Sequence, residues 1–260
     1  MRSTSKETHT FFSSRKIPYT DSIIQIAEQK IHYLQTGKAD APTLVFIHGS
    51  PGSWDAWKNY LSDSMLLQHF RLIAPDRPGF GYSGFRKSMD LEGQTKVLNA
   101  LLKKLHNGQP TTVIGHSYGG PLVVNMALKA PELFDHLFIL AGALDPEAEK
   151  PEKWRKVFIR FPFRYLVPGS FRPSNDELWW LKEDLFVLRD KLADLTQDIT
   201  IIHGTEDRLV PFTNVAFMEQ AFTSVGDLQV FPLEGERHFI VWDQEQFIKN
   251  TVSNRLQKAP

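Results

Sequence analysis

The chain has 260 residues, enough for one large α/β domain with or without an inserted segment. Its 30 basic and 30 acidic side chains balance, so the bulk charge indicates no nucleic-acid or acidic partner. The lack of cysteine excludes disulfides, thiolate catalysis and cysteine-based zinc sites. Residues 1–16 contain no signal-peptide core, and no apolar run is long enough to cross a bilayer. We therefore expect a soluble, cytoplasmic protein without stable membrane insertion.

The apolar residues predict strands that alternate with helices, as in a mostly parallel sheet covered by helices. The predicted strands are an opening hairpin at 22–27 and 30–34, followed by 44–47, 71–74, 113–114, 137–140, 199–202 and 228–231. Helical spacing of apolar residues predicts helices over 91–106, directly after residue 117, and over 244–256.

One region interrupts this alternation. No strand pattern occurs between Asp145 and Leu195, and a structureless connection of that length is unusual in a compact domain. We therefore predict one domain over residues 1–260, with a helical cap inserted at 146–195. Three prolines should divide the cap into short helices: Pro162, Pro168 and Pro173.

The predicted cap is rich in aromatic residues, which favour a pocket for an apolar acyl or aryl group. The alternative is that most of them pack the cap onto the sheet. The nine aromatic residues are Trp154, Phe158, Phe161, Phe163, Tyr165, Phe171, Trp179, Trp180 and Phe186. Residues 150–164 also carry six basic side chains against one acidic one, which is typical of a solvated helix face and less often of a site for anionic lipid.

Residues 112–120 contain the most informative motif. A β-branched run leads into Gly115-His116-Ser117-Tyr118-Gly119, and a helical pattern follows. This strand–turn–helix context is what the Gly-x-Ser-x-Gly nucleophile elbow requires. Glycine suits the sharp turn because it has no Cβ to clash. The motif therefore predicts Ser117 as a nucleophile at the carboxyl edge of the sheet, and the alternative is a simple turn of small residues.

A serine hydroxyl needs a base to accept its proton, and the base needs a carboxylate to orient it. His238 follows the last predicted strand and Asp207 follows strand 199–202, so both should lie at the same edge as Ser117. The order Ser…Asp…His is the one that accompanies this elbow. Asp145 and Glu206 are the alternative candidates for the acid.

Acyl transfer also needs backbone N–H donors for the negative charge that develops on the carbonyl oxygen. The amide of Tyr118, the residue after the nucleophile, is one candidate. Ser50 is the other, because the loop 48–53 follows strand 44–47 and its glycine and proline residues suit a fixed turn near a ligand. The alternative is an ordinary turn in which Ser53 caps the next helix.

Residues 79–84 match Gly-x-Gly-x-x-Gly after a predicted strand. A dinucleotide site would need a helix to begin there and an acidic residue about twenty positions later. The helical pattern begins only near Leu91, and residues 99–105 hold no carboxylate. The sequence also has no phosphate-binding loop and no His-Glu-x-x-His motif, so we predict neither an organic cofactor nor a metal.

Together these motifs resemble the α/β-hydrolase fold superfamily, in particular its serine-nucleophile esterase and lipase members, over residues 23–256. The shared features appear in the family's order: the His48-Gly49 loop, the turn at 76–83, the Ser117 elbow, the segment 204–211 and His238. The resemblance implies an α/β fold with an eight-stranded, mostly parallel sheet, helices on both faces and a lid after strand six. It also implies a Ser117–His238–Asp207 triad with an oxyanion hole formed by the Ser50 and Tyr118 amides.

The His-Gly-x-Pro form of residues 48–51 resembles epoxide hydrolases and dehalogenases as well, but those enzymes use an aspartate nucleophile. Ser117 argues against both activities. We expect a serine hydrolase that cleaves carboxylic esters of largely apolar small molecules. The alternatives are hydrolysis of a C–C bond in a dienoic diketone acid, cleavage of an amide or iminopeptide, and a hydrolase-like ligand receptor. A C–C hydrolase would need a cap cation for a carboxylate: Arg155, Arg160 or Arg164.

Overall fold

A computed structural model describes residues 2–84, 88–150, 152–169 and 171–257. Its centre is an eight-stranded sheet with the strand order β1-β2-β4-β3-β5-β6-β7-β8. The strands are β1 (Thr20–Ile26), β2 (Gln29–Gly37), β3 (Thr43–Ile47), β4 (Arg71–Pro75), β5 (Thr111–His116), β6 (His136–Leu140), β7 (Asp198–Gly204) and β8 (Leu228–Leu233). The mostly parallel α/β fold that the sequence predicts is confirmed.

Only β2 runs against its neighbours, because it pairs antiparallel with both β1 and β4. The register of the parallel strands aligns their carboxyl ends: Ile47 pairs with Gly115, His116 with Leu140, and Gly204 with Leu233. The loops that follow β3, β5, β7 and β8 therefore leave the sheet at one edge, where open α/β sheets place their ligands.

The described helices cover both faces of the sheet. They are α1 (Ser5–Ser14), α2 (Ser64–His69), α3 (Leu91–Leu105), α4 (Gly119–Lys129), α5 (Arg155–Phe158), α6 (Arg172–Arg189), α7 (Thr213–Ala221), α8 (Ile240–Asp243) and α9 (Glu245–Gln257). In the part of the chain that the structure describes, none of these helices combines the length and the apolar character that a membrane span requires.

The core consists of two apolar clusters, one on each face of the sheet. Alternate residues of a strand point to opposite faces, so Val45 and Ile47 of β3 join one cluster, whereas Leu44 and Phe46 join the other. All five residues of β3 are buried, which explains its continuous apolar run.

Helix α1 was not predicted from the sequence. It begins with a capping box, in which the Thr4 side chain accepts the Glu7 amide hydrogen and the Glu7 carboxylate accepts the Thr4 amide hydrogen. Its apolar anchor is Phe12, which is fully buried and stacks on Tyr19. The pattern Thr4-x-x-Glu7 was therefore a signal in the sequence that could have located this helix.

Among its described residues, which exclude Pro151 and Ser170, the connection between β6 and β7 contains helices α5 and α6. Helix α6 packs on the core through Leu181, Leu185 and Leu188. Pro173 does not break this helix, contrary to the sequence prediction, because it lies in the first turn, where a missing N–H removes no hydrogen bond. None of the nine aromatic residues in this connection is fully buried, so leucines rather than aromatic rings attach it to the sheet.

We expect Leu185→Ala to lower the free energy of unfolding by about 2–5 kcal/mol, because it removes buried methyl groups and leaves a cavity beneath α6. Val187→Ala is the matched control on the same helix. The Val187 side chain is 63% exposed, so its loss should change stability by less than about 0.5 kcal/mol. Urea unfolding measures both, and equal effects would contradict the packing of α6 described above.

Candidate active site

Ser117 stands on the sharp turn between β5 and α4. Its φ is +55°, in the left-handed region that residues other than glycine rarely adopt. The Ser117 amide donates to the Leu140 carbonyl at 3.0 Å, and the Ser117 carbonyl accepts the Gly120 amide hydrogen at 2.9 Å. A Cβ on Gly115 would overlap the carbonyl oxygen of Gly119, so the turn closes only with glycine at this position.

His238 and Asp207 lie beside Ser117. Nε2 of His238 is 3.0 Å from Oγ of Ser117, and Nδ1 of His238 is 2.7 Å from Oδ2 of Asp207. The ionised carboxylate of Asp207 can only accept hydrogen bonds. When the His238 ring is neutral, it therefore carries its hydrogen on Nδ1. Nε2 then accepts the hydrogen of the Ser117 hydroxyl. The structure thus joins the three residues into one chain of hydrogen bonds.

The Asp207 carboxylate is held on both of its oxygens. Oδ1 accepts the amide hydrogens of Leu209 and Val210 at 2.8 Å each. Burial by itself would raise the pKa of Asp207, but contacts with the His203 and His238 side chains and the Val210 amide lower this pKa well below its usual range. Asp207 is therefore an anion at neutral pH.

The other acids considered from the sequence lie elsewhere. Glu206 is exposed, and Oδ1 of Asp145 accepts the Glu147 amide hydrogen on a different loop. The structure therefore brings Asp207, rather than either alternative, to His238.

His116 contributes to the site in a way that the sequence did not indicate. Its buried Nε2 donates to the carbonyl oxygen of His238 at 3.0 Å, and so helps hold the backbone of that residue. Burial, reinforced by the nearby His238 ring, lowers the pKa of His116 to about 3, so the ring is neutral. The only sequence signal for this role was the position of His116 next to Ser117.

The loop after β3 lies directly against the elbow. A Cβ on Gly49 would stand 3.1 Å from Cβ of Ser117, so this approach favours glycine. The Ser50 hydroxyl donates to the Ser174 hydroxyl at 2.8 Å. Among the described residues, neither the Ser50 amide nor the Tyr118 amide has a hydrogen-bond acceptor, and both are therefore available to a ligand.

The Gly-x-Gly-x-x-Gly segment encloses the Asp76 carboxylate. Oδ2 of Asp76 accepts the Tyr82 amide hydrogen at 2.8 Å, and Oδ1 accepts that of Trp54 at 2.8 Å. Gly81 has φ +52°, and a Cβ there would overlap the carboxylate. The glycines of this segment thus serve the close packing of a turn.

A cavity of about 620 Å³ lies between the helical connection and the loop after β3. Arg155 lies in its wall, but the guanidinium is paired with Glu152 and stacks 4.7 Å from the Trp154 ring centre. Arg164 is paired with Asp176, so neither is a free cation facing the cavity. The cavity is lined by Ser50, Pro51, Trp154, Arg155, Phe158, Leu166, Val167, Pro168, Phe171, Ser174, Asn175 and Leu178.

No group of three or more histidine, cysteine, aspartate or glutamate side chains in the described ranges is arranged to hold a metal ion.

The low pKa of His116 predicts a pH dependence of stability. The unfolded chain binds this proton near pH 6.5, whereas the folded protein binds it only near pH 3. Between these values the unfolded state carries the extra proton, so the free energy of unfolding falls as the pH falls, by up to about 1.4 kcal/mol per unit. We expect His116→Gln to remove this part of the slope in urea titrations.

His136→Gln provides the comparison, because burial lowers the pKa of His136 to about 4. Its contribution to the slope should therefore end at a higher pH than that of His116. An unchanged slope in His116→Gln would show that the His116 ring is not kept neutral.

Comparison with known proteins gives matches over different parts of the chain. Residues 42–165 match a family model described as alpha/beta hydrolase fold. Epoxide hydrolase 1 of Caenorhabditis elegans is 29% identical over 117 residues, which are 44% of this chain and 28% of that protein. Bifunctional epoxide hydrolase 2 of Sus scrofa is 35% identical over 106 residues, which are 40% of this chain and 18% of that protein.

These sequence matches span well under two thirds of the relatives' length. The similarity of structure is more extensive. A putative lipase from Acinetobacter baumannii superposes with a TM-score of 0.74 at 17% identity, covering 98% of this chain and 97% of that one. A likeness at this identity concerns the fold alone, and it agrees with the strand order. The chain therefore has the α/β-hydrolase fold, and its residues 42–165 resemble that family in sequence.

Proposed function

We propose that the protein is a serine hydrolase that cleaves a carboxylic ester of a largely apolar small molecule through an acyl-enzyme intermediate. The observation that carries the proposal is the chain of hydrogen bonds from Ser117 through His238 to Asp207, with distances of 3.0 Å and 2.7 Å. The base and its orienting carboxylate are in the geometry that activates a serine hydroxyl.

In the proposed reaction, Oγ of Ser117 attacks the ester carbonyl while Nε2 of His238 takes the hydroxyl proton. Collapse of the tetrahedral intermediate breaks the ester C–O bond, and the His238 imidazolium gives its proton to the departing alkoxide. A water molecule then loses a proton to His238 and attacks the acyl carbon. The second tetrahedral intermediate breaks its bond to Oγ of Ser117, which takes the proton back from His238, and the carboxylic acid is released. The Asp207 carboxylate stabilises the imidazolium in both half-reactions and stays ionised.

The Ser50 and Tyr118 amides are the proposed oxyanion donors. Their support is the placement of the loop after β3 against Ser117 and the lack of acceptors for both amides among the described residues. Donors of this kind are worth about 10²–10³ in rate each.

The wall of the 620 Å³ cavity supports the apolar character of the proposed substrate. Most of its residues are aliphatic or aromatic, and its arginine is already paired with Glu152. We therefore favour an uncharged ester over a substrate that needs a cap cation. The segment 146–195 would act as the cap that forms one side of this pocket.

The named relatives include epoxide hydrolases, so opening of an epoxide ring is the alternative reaction. A serine occupies the elbow here, and Asp207 is already hydrogen-bonded to His238. This arrangement favours acyl transfer through serine.

We expect Ser117→Ala to reduce kcat on short-chain nitrophenyl esters by about 10⁴–10⁶-fold, because it removes the nucleophile. Wild-type protein should also be labelled at Ser117 by a fluorophosphonate. Turnover of an epoxide or an amide in preference to every ester in the panel would contradict the proposal, as would ester turnover that survives Ser117→Ala.

We expect Asp207→Asn to lower kcat by about 10⁴-fold, because the amide no longer holds the His238 hydrogen on Nδ1. Glu206→Gln, at the exposed neighbouring residue, should leave kcat unchanged. A larger loss in Asp145→Asn than in Asp207→Asn would assign the role of the acid to Asp145.

A further inference from the structure

An ion pair is completely buried between the turn after β4 and helix α6. The side chains of Arg77 and Glu177 are 0% and 1% exposed, and their two hydrogen bonds measure 2.7 Å and 2.8 Å. Gln94 bridges the pair, since its Oε1 accepts from Arg77 at 2.6 Å and its Nε2 donates to Glu177 at 2.8 Å. Desolvation makes such a pair a poor source of stability compared with apolar side chains of the same size. This buried ion pair is therefore better explained by a role other than stabilising the fold.

The same guanidinium holds the loop that carries the Ser50 amide. Nη2 of Arg77 donates to the Gly49 carbonyl oxygen at 2.9 Å. Nδ1 of His48 lies 2.8 Å from that oxygen, and Nε2 of His48 accepts the Arg77 amide hydrogen at 3.1 Å. The Gly49 carbonyl is therefore held by two donors: the Arg77 guanidinium and the His48 ring, which in turn accepts from the Arg77 backbone amide.

The peptide bond transmits this restraint to Ser50. The Gly49–Ser50 peptide is trans and planar, so its C=O and N–H point in opposite directions. Holding the Gly49 oxygen toward Arg77 fixes the direction of the Ser50 N–H on the other side of the same plane. The direction of this N–H decides whether it can donate to an oxyanion.

Arg77 also contacts the residue that carries the other free amide. Its guanidinium lies 4.6 Å from the centre of the Tyr118 ring, and the Tyr118 hydroxyl accepts from Gln94 at 3.3 Å. One buried cation thus touches the peptide that carries the Ser50 amide and the side-chain ring of Tyr118.

We propose that Arg77 and Glu177 are positioning residues: the pair orients the Ser50 amide as an oxyanion donor, and it does so only while α6 is docked on the sheet. The inference rests on the proposed function, because it specifies how that oxyanion hole is held. Glu177 belongs to α6, and Gly49 belongs to the loop after β3. The docking of α6 on the sheet and the orientation of the oxyanion donor therefore depend on the same ion pair.

The test compares Arg77→Met/Glu177→Met with wild type. Replacing both partners avoids an unpaired buried charge, which would by itself cost about 3–5 kcal/mol of stability. We expect kcat on a nitrophenyl ester to fall by about 10–10²-fold with KM within about threefold, because only transition-state contacts are lost. The affinity for a trifluoromethyl ketone, whose serine adduct carries an oxyanion, should fall by the same factor as kcat.

Single substitutions on α6 supply the matched control. In Glu177→Gln the remaining carbonyl oxygen accepts one bond from Arg77, so kcat should fall by about two- to fivefold, less than in the double variant. Asp176→Asn changes the adjacent buried carboxylate, which contacts Ser88 and Arg164 but not the loop after β3, and should leave kcat and ketone affinity unchanged. A purely structural role would instead lower thermal stability in all three variants without separating kcat from KM.

A folded double variant that keeps wild-type kcat and ketone affinity would overturn the inference. So would a crystal structure of that variant with the Gly49 peptide in its present orientation, whatever the activity. Failure of the proposed function gives a different result: the wild-type protein itself would lack ester turnover that depends on Ser117.

Discussion

The candidate site depends on the alignment of the parallel strands, which delivers the loops after β3, β5, β7 and β8 to one edge. Alignment alone does not bring these loops into contact. A Cβ on Gly204, the last residue of β7, would overlap the carbonyl oxygen of Glu236, two residues before His238. The loops that carry Asp207 and His238 can therefore meet because glycine lets their backbones approach closely.

Burial favours the neutral form of both Asp207 and His116, but the two groups end in different charge states. It would raise the pKa of Asp207, but contacts with His203 and His238 outweigh it, and the carboxylate stays ionised. His116 faces a neighbouring histidine and a backbone carbonyl instead, so burial dominates and its ring stays neutral. The partners of each group thus decide whether the effect of burial is overcome, as at Asp207, or prevails, as at His116.

Helix α6 is attached to the sheet in two different ways. Toward its C-terminal end Leu181, Leu185 and Leu188 pack on the apolar core, a contact that excludes water but specifies position only loosely. Toward its N-terminal end, Glu177 accepts two hydrogen bonds from the planar guanidinium of Arg77, and such a pair forms in one geometry. That N-terminal end also supplies the part of the cavity wall that belongs to α6, namely Ser174, Asn175 and Leu178. The directional contact therefore lies where the proposed substrate would bind.

The sequence by itself determined the sheet and the three residues of the hydrogen-bonded chain. Buried strands are continuous apolar runs, and the residues that follow such runs must gather at one edge, so Ser117, Asp207 and His238 could be named from chain order. Only the tertiary structure decided which side chains support them. Arg77 and Glu177 are separated by 100 positions, and His116 bonds a carbonyl 122 positions away. Periodicity records which face of an element is apolar, but not where two distant elements cross, and hydrogen bonds between buried polar groups depend on that crossing.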